Sequence, residues 1–270
     1  MVDHPGEHYT HGHHESVLRS HSWRTVENSA AYLLPYLAPG TTMLDIGCGP
    51  GTITVDFARR VAPGRVIGLD ASPEIVEKAR AFALNAAVDN VDFRVGSAYL
   101  LDVPDDRFDI VHAHQTLQHL ADPVAALREM RRAVRRGGVV AARDVDYAGI
   151  MWYPLLPGLT KWRDLYEKVH RSNGGEPNAG RHLKAWALEA GFADIVSTAS
   201  VWCFTSDEER QWWGGLWEAR VLHSAFGFDA LSKGFATQDD LDEVAAAWRE
   251  WTAHPAGWLA MPHGEVLGRG

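Results

Sequence analysis

The run Met43-Leu-Asp-Ile-Gly-Cys-Gly-Pro-Gly-Thr-Ile-Thr54 decides how the rest of the chain is read. Residues 43–46 form a short apolar stretch carrying one acid, Asp45, as a buried strand does where it arrives at a turn. Gly47, Gly49 and Gly51 follow at every second position. Glycine tolerates φ > 0 and has no Cβ, so a backbone built this way can lie directly against a ligand. From Thr52 the spacing of Ile53, Val55, Phe57 and Ala58 predicts a helix whose first N–H groups face that ligand. A strand, turn and helix of this kind also hold dinucleotides. That fingerprint is G-x-G-x-x-G, however, and here the third glycine falls at 51, with threonine at 52.

The G-x-G-x-G turn resembles motif I of the class I S-adenosylmethionine-dependent methyltransferases, and two later segments extend the likeness. Val66-Ile-Gly-Leu-Asp70 is a second apolar stretch ending in an acid, 19 residues after Gly51. A carboxylate at that strand tip accepts hydrogen bonds from ribose hydroxyls in nucleotide folds generally. Ser72-Pro-Glu then opens a helix with a cap and a first-turn proline. Further on, Gln115-Thr-Leu-Gln-His-Leu-Ala-Asp-Pro123 is similar to the "LHHL-x-DP" segment of the small-molecule type, as in ubiquinone and menaquinone biosynthesis, with Gln118 replacing the first histidine.

The resemblance implies binding of S-adenosylmethionine and of its product S-adenosylhomocysteine. Expected cofactor contacts are Asp45, Gly47, Gly49, Gly51, Asp70 and Ala71. Ser97 and Ala98 follow the third strand, where the family commonly has an acid for the adenine amino group. His114 and Gln115 stand at the end of the fourth strand. Members often fold an N-terminal helical segment over the cofactor, which brings in Tyr9, His14 and Arg24, with Arg24 on the cofactor's carboxylate. The implied fold is α/β: a Rossmann-like, doubly wound, seven-stranded and mostly parallel sheet with a helical lid. Its parts are a cap (1–40), a core (41–205, with an inserted helix within 151–179), a lid insertion (206–255) and a last antiparallel strand (256–270).

Composition bounds the partners. A net charge of −9 argues against a nucleic-acid surface, which needs clustered Lys and Arg. No apolar stretch is long enough to span a bilayer. Two cysteines, far apart, suggest a reducing cytoplasm and no disulfide framework. His8, His11, His13 and His14 invite a metal reading, but they lack a nearby cysteine or acid at zinc-site spacing, so no metal is expected. The expected partner is a small-molecule acceptor, the chain being a monomer or homodimer.

Local patterning fills in the elements. Residues 15–37 have helical spacing, 125–134 read as a helix stopped by Arg136-Gly-Gly138, and 139–142 as the fifth strand. Residues 147–157 read as a loop rich in aromatics and proline. Most of the 11 tryptophans lie beyond residue 180. They either pack the insertion or, as read here for Trp152, Trp213 and Trp217, wall a pocket for an apolar or aromatic acceptor. Removal of the acceptor's proton suits histidine, and His14 and His114 are the candidates. Methyl transfer leads; a same-fold cyclase or isomerase that keeps the methyl, and a non-catalytic nucleotide-binding module, are the alternatives.

Overall fold

The computed structural model describes Thr10 and residues 23–270. A short helix α1 (Val26–Ser29) and a 3-10 turn (Ala31–Tyr36) lead into β1 (Met43–Ile46). Then come α2 (Thr52–Val61), β2 (Val66–Asp70), α3 (Pro73–Asn85), β3 (Val91–Val95), β4 (Phe108–His114), α4 (Pro123–Ala133) and β5 (Val134–Val145). The second half comprises β6 (Met151–Tyr153), α5 (Pro157–Ser172), α6 (Ala179–Glu189), β7 (Ile195–Phe204), α7 (Asp207–His223), α8 (Ala225–Ser232), α9 (Gln238–Ala253) and β8 (Trp258–Arg269).

Hydrogen bonding orders the strands β3-β2-β1-β4-β5-β8. The first five are parallel, and β8 runs antiparallel to β5. β7 lies along the far side of β8, while β6 pairs with residues 258–260 of β8 beyond the end of β5. Every residue of β1 is buried, because helices cover the parallel strands on both faces. The helix starts follow side-chain capping: Ser72 takes the Ile75 N–H, Asp122 takes the Ala125 N–H, and Ser206 and Thr237 form capping boxes with Glu209 and Asp240.

Three expectations are corrected. The sheet has eight strands, because part of the aromatic loop, Met151–Tyr153, adds a short strand beside β8. Within the described part of 15–37 no continuous helix forms: Thr25 caps α1 at Val26, Ala30 leaves helical geometry at φ −143°, and Pro35 falls inside the 3-10 turn. Arg136-Gly-Gly138 does not stop the helix, which ends at Ala133; the glycines lie inside a longer β5, where the register with β4 shifts.

The helices between β7 and β8 pack on α5 through an aromatic core. Trp162, Trp217, Trp248 and Trp251 are fully buried there. Trp162 meets Trp217 and Trp248 edge-on, at centroid distances of 4.6 and 4.9 Å. Such rings bury roughly 150–250 Å² each, which at about 25 cal/mol per Å² is about 4–6 kcal/mol apiece before entropy. Thr10 is buried at the edge of this bundle, its hydroxyl accepting from Asn173 Nδ2 at 3.3 Å. Among the described residues no helix is long and apolar enough to cross a membrane.

Candidate active site

The turn after β1 is held in a conformation that requires glycine. Gly47, Gly49 and Gly51 have φ of +67°, +55° and +85°. At Gly47 a Cβ would fall 2.2 Å from Thr116 Oγ1, and at Gly51 2.8 Å from Phe93 Cζ. The Gly47 and Cys48 N–H groups both donate to the Leu69 carbonyl, at 2.7 and 3.0 Å, which ties the turn to β2. At the tip of β2 the two oxygens of Asp70 accept from Gly49 N–H and Ser72 N–H, each at 3.0 Å. The arrangement fits a nucleoside: a side-chain-free turn at a helix N-terminus, with an acid beside it for vicinal hydroxyls.

The remaining expected cofactor positions fall around this turn. Ala71 is exposed next to Asp70. Ser97 and Ala98 are half-buried beyond β3, where Ser97 Oγ accepts the Tyr99 N–H at 3.2 Å and closes a tight turn. Asp45 lies just before the turn with its carboxylate directed into the fold. One oxygen takes the Thr54 hydroxyl at 2.5 Å and the other lies 2.7 Å from His112 Nδ1, so the side chain braces β1, α2 and β4 from below. Tyr9 and His14 lie outside the described residues.

At the carboxyl end of β4 a polar group gathers under residues 23–31. His114 is 5 % exposed, its ring 5.7 Å from Trp202 and 6.3 Å from His263. Neither of its ring nitrogens has a hydrogen-bond partner among the described residues. Burial first, then the nearby Arg24 and Arg143 cations, hold its pKa well below the usual histidine value, so the imidazole is neutral. Gln115, at φ +49°, donates its N–H to the Arg143 carbonyl at 2.7 Å. Its amide sits between Arg24 Nη2 (2.6 Å) and His263 Nε2 (2.8 Å).

Arg143, His263, Glu265 and Trp202 belong to this group, and sequence reasoning missed them. Arg143 Nε reaches Ser200 Oγ at 3.0 Å and Glu265 at 3.4 Å, with the guanidinium 4.9 Å from the Trp202 ring centre. Burial pulls the Arg143 pKa down to about 10, which still leaves a cation. A cavity of about 270 Å³ borders Trp23, Arg143, Ser200, Trp202 and Glu265. The available signal was His263-Gly-Glu265 in a strand otherwise fit for the core, since two polar residues at i and i+2 share one face.

The other face of the sheet, at the end of β5, has a second buried polar cluster. Asp144 accepts the Gln118 N–H at 3.2 Å, and burial raises its pKa to about 8. His170 Nε2 donates to the Gln118 carbonyl at 2.8 Å, and burial lowers its pKa to about 4. The His119 ring lies 4.9 Å from that of His170.

The tryptophans expected to line an acceptor pocket are packed against other side chains. Trp213 stacks on Phe204 at 4.4 Å, and Trp217 is wholly buried beside Trp162 and Trp248. Trp152 is buried as well, with the Arg163 guanidinium over its ring at 5.5 Å. Helical spacing puts Trp213 and Trp217 on the packing face of α7. Among the described residues no cluster of His, Cys, Asp and Glu is placed to hold a metal ion.

Comparison with known proteins agrees with this geometry. A family profile described as a methyltransferase domain matches residues 37–208. An uncharacterized methyltransferase of Schizosaccharomyces pombe is 38 % identical, covering 96 % of this chain and 95 % of its own. A probable methyltransferase, ltbC, of Aspergillus luteorubrus is 31 % identical, covering 96 % of each. The solved structure of the YcgJ protein of Bacillus subtilis superposes with a TM-score of 0.58 at 20 % identity, over 89 % of this chain and 97 % of that one. The chain belongs to the methyltransferase-domain family and is a class I S-adenosylmethionine-dependent methyltransferase.

Proposed function

We propose that the chain methylates a small, apolar or aromatic acceptor in a reducing cytoplasm, with His114 as the group that takes the acceptor's proton. The observation that carries this reading is the buried, neutral His114 ring at the ligand-binding end of β4, with neither nitrogen engaged by a described residue. Bound S-adenosylmethionine supplies a methyl group on a cationic sulfur. Asp70 holds the ribose hydroxyls, the glycine turn lies against the nucleoside, and Arg24 pairs with the carboxylate. Methyl transfer is an in-line displacement, so positioning supplies much of the acceleration. A hydroxyl, ammonium or acidic carbon must also lose its proton, and a neutral imidazole within reach accepts it. The helices of 206–255 serve as the lid that excludes water, and the buried Thr10 and residues 23–30 are the described part of the segment 1–30 expected to join it.

Incubation with labelled methyl donor and a panel of small metabolites tests the reading. Transfer of label to an acceptor, with the rate lowered about 10²–10⁴-fold in His114→Gln, supports it. Consumption of an acceptor without label transfer would favour the cyclase or isomerase alternative. Undiminished transfer in His114→Gln would remove the histidine from the chemistry.

A further inference from the structure

His263, on the last strand, touches no surface, yet its hydrogen bonds dictate the direction of a side chain in the site. The ring is wholly buried, with Nδ1 at 3.0 Å from the Met261 carbonyl oxygen. A carbonyl can only accept, so Nδ1 carries the proton. Burial and the Arg143 cation keep the ring neutral, which leaves Nε2 as an acceptor only. The partner of Nε2 is the Gln115 side-chain nitrogen at 2.8 Å, which therefore donates. An amide has one nitrogen and one oxygen, and with the nitrogen committed its oxygen must face the opposite way. There Arg24 Nη2 donates to it at 2.6 Å. Flipping the amide would set oxygen against a lone pair at His263 and an NH₂ group against the guanidinium, losing both bonds. The backbone cannot relax the arrangement cheaply, because Gln115 is held at φ +49° by its N–H bond to the Arg143 carbonyl.

We propose that His263 is a positioning residue for the cofactor: through the Gln115 amide it aims the Arg24 guanidinium at the carboxylate of the cofactor's amino-acid end. This rests on the reading of Arg24 given above. The chain of bonds runs from the Met261 carbonyl on β8, through His263 and across β4's end, to a residue preceding α1. Three segments far apart in sequence thereby share one hydrogen-bond polarity.

The test uses binding rather than turnover. Calorimetry compares S-adenosylhomocysteine with its decarboxylated analogue, identical but for the missing carboxylate, on the full chain. Their affinity ratio is insensitive to the folded fraction. His263→Leu should weaken S-adenosylhomocysteine about 5- to 20-fold and the analogue less than about twofold, the scale of one weakened charge-assisted hydrogen bond. Arg24→Ala should collapse the same ratio, and the double variant should lose no more than Arg24→Ala alone. His263→Gln, which keeps an acceptor where Nε2 stands, should restore most of the preference. Gln115→Met gives an independent variant if His263→Leu misfolds, and should behave like it. Equal weakening of both ligands would make His263 a merely structural residue and overturn the proposal, as would an unchanged ratio in Gln115→Met. Failure of the wild-type chain to bind S-adenosylhomocysteine would instead sink the cofactor site, taking the proposal with it.

Discussion

Replacing Asp70 by Asn changes one carboxylate oxygen to an amide nitrogen and leaves the shape of the side chain intact. In the structure the two oxygens accept from Gly49 N–H and Ser72 N–H, each at 3.0 Å. Asparagine offers one oxygen, so one of these backbone groups would face an NH₂ and lose its partner. A hydrogen bond to a charged group contributes about 1.5–3 kcal/mol, and the surviving bond weakens by about 1 kcal/mol when the charge goes. The total is about 2.5–4 kcal/mol, toward the lower end because the side chain is half-exposed and water can substitute. For a chain of this size that lowers Tm by roughly 5–15 °C. Loss of the charged acceptor for the ribose should separately weaken S-adenosylhomocysteine about 10- to 100-fold. Scanning calorimetry without ligand reads the first effect, and titration calorimetry well below the transition reads the second. An unaltered Tm would mean the two backbone bonds carry no weight. Unaltered affinity in the folded variant would mean that Asp70 shapes the turn and never touches the ribose.

Trp213→Ala should lower stability by about 3–5 kcal/mol, since it empties the space stacked on Phe204, and thermal unfolding checks this. A stable variant with weakened acceptor binding would return Trp213 to the pocket. The Asp144 pKa of about 8 in the folded state, against about 3.9 unfolded, means that the native protein holds an extra proton between those values, so stability falls as pH rises from about 4 to about 8. Asp144→Asn should gain on the wild type across that window by on the order of 5 kcal/mol, and a difference equal at pH 5 and pH 8.5 would refute the burial argument. Activity should survive exhaustive chelation; loss restored by one divalent ion would require a metal site involving residues beyond those described or the acids Asp105-Asp106.

What the sequence revealed was local. The turn at Gly47, Gly49 and Gly51 was legible because positive φ restricts residue type at single positions, and Asp70 because a strand tip follows directly from its own apolar run. The helix start at Ser72 was legible for the same reason, capping being a contact over three residues. What was lost depends on register. Whether Arg143, Ser200, His263 and Glu265 meet is decided by which residues of β5, β7 and β8 stand opposite each other, and pairs such as Arg143 with Glu265 join strands distant in the chain. The tryptophans pose a different problem. Helical periodicity identifies a buried stripe but does not say whether protein or ligand covers it, and here α5, α7 and α9 cover one another.

The placing of β8 between β5 and β7 has a consequence for how the molecule assembles. Its partner Val145 precedes His263 by 118 positions, and all of α5 to α9 must be synthesised before the strand that joins the two halves exists. Until it arrives, β5 and β7 are both unpaired edges, and closing so long a loop delays the reward of pairing. We expect refolding to proceed in two stages, a nucleus of β1, β2 and β4 with α2 forming ahead of the β5–β8–β7 seam. Pulse-labelled hydrogen exchange during refolding would show amides of Leu44, Ile67 and Val111 protected before those of Val140, Trp202 and Val266; simultaneous protection would mean the seam forms with the nucleus. On the two-stage view Arg24, Gln115 and His263 come into alignment last, so the site is completed by the final folding event.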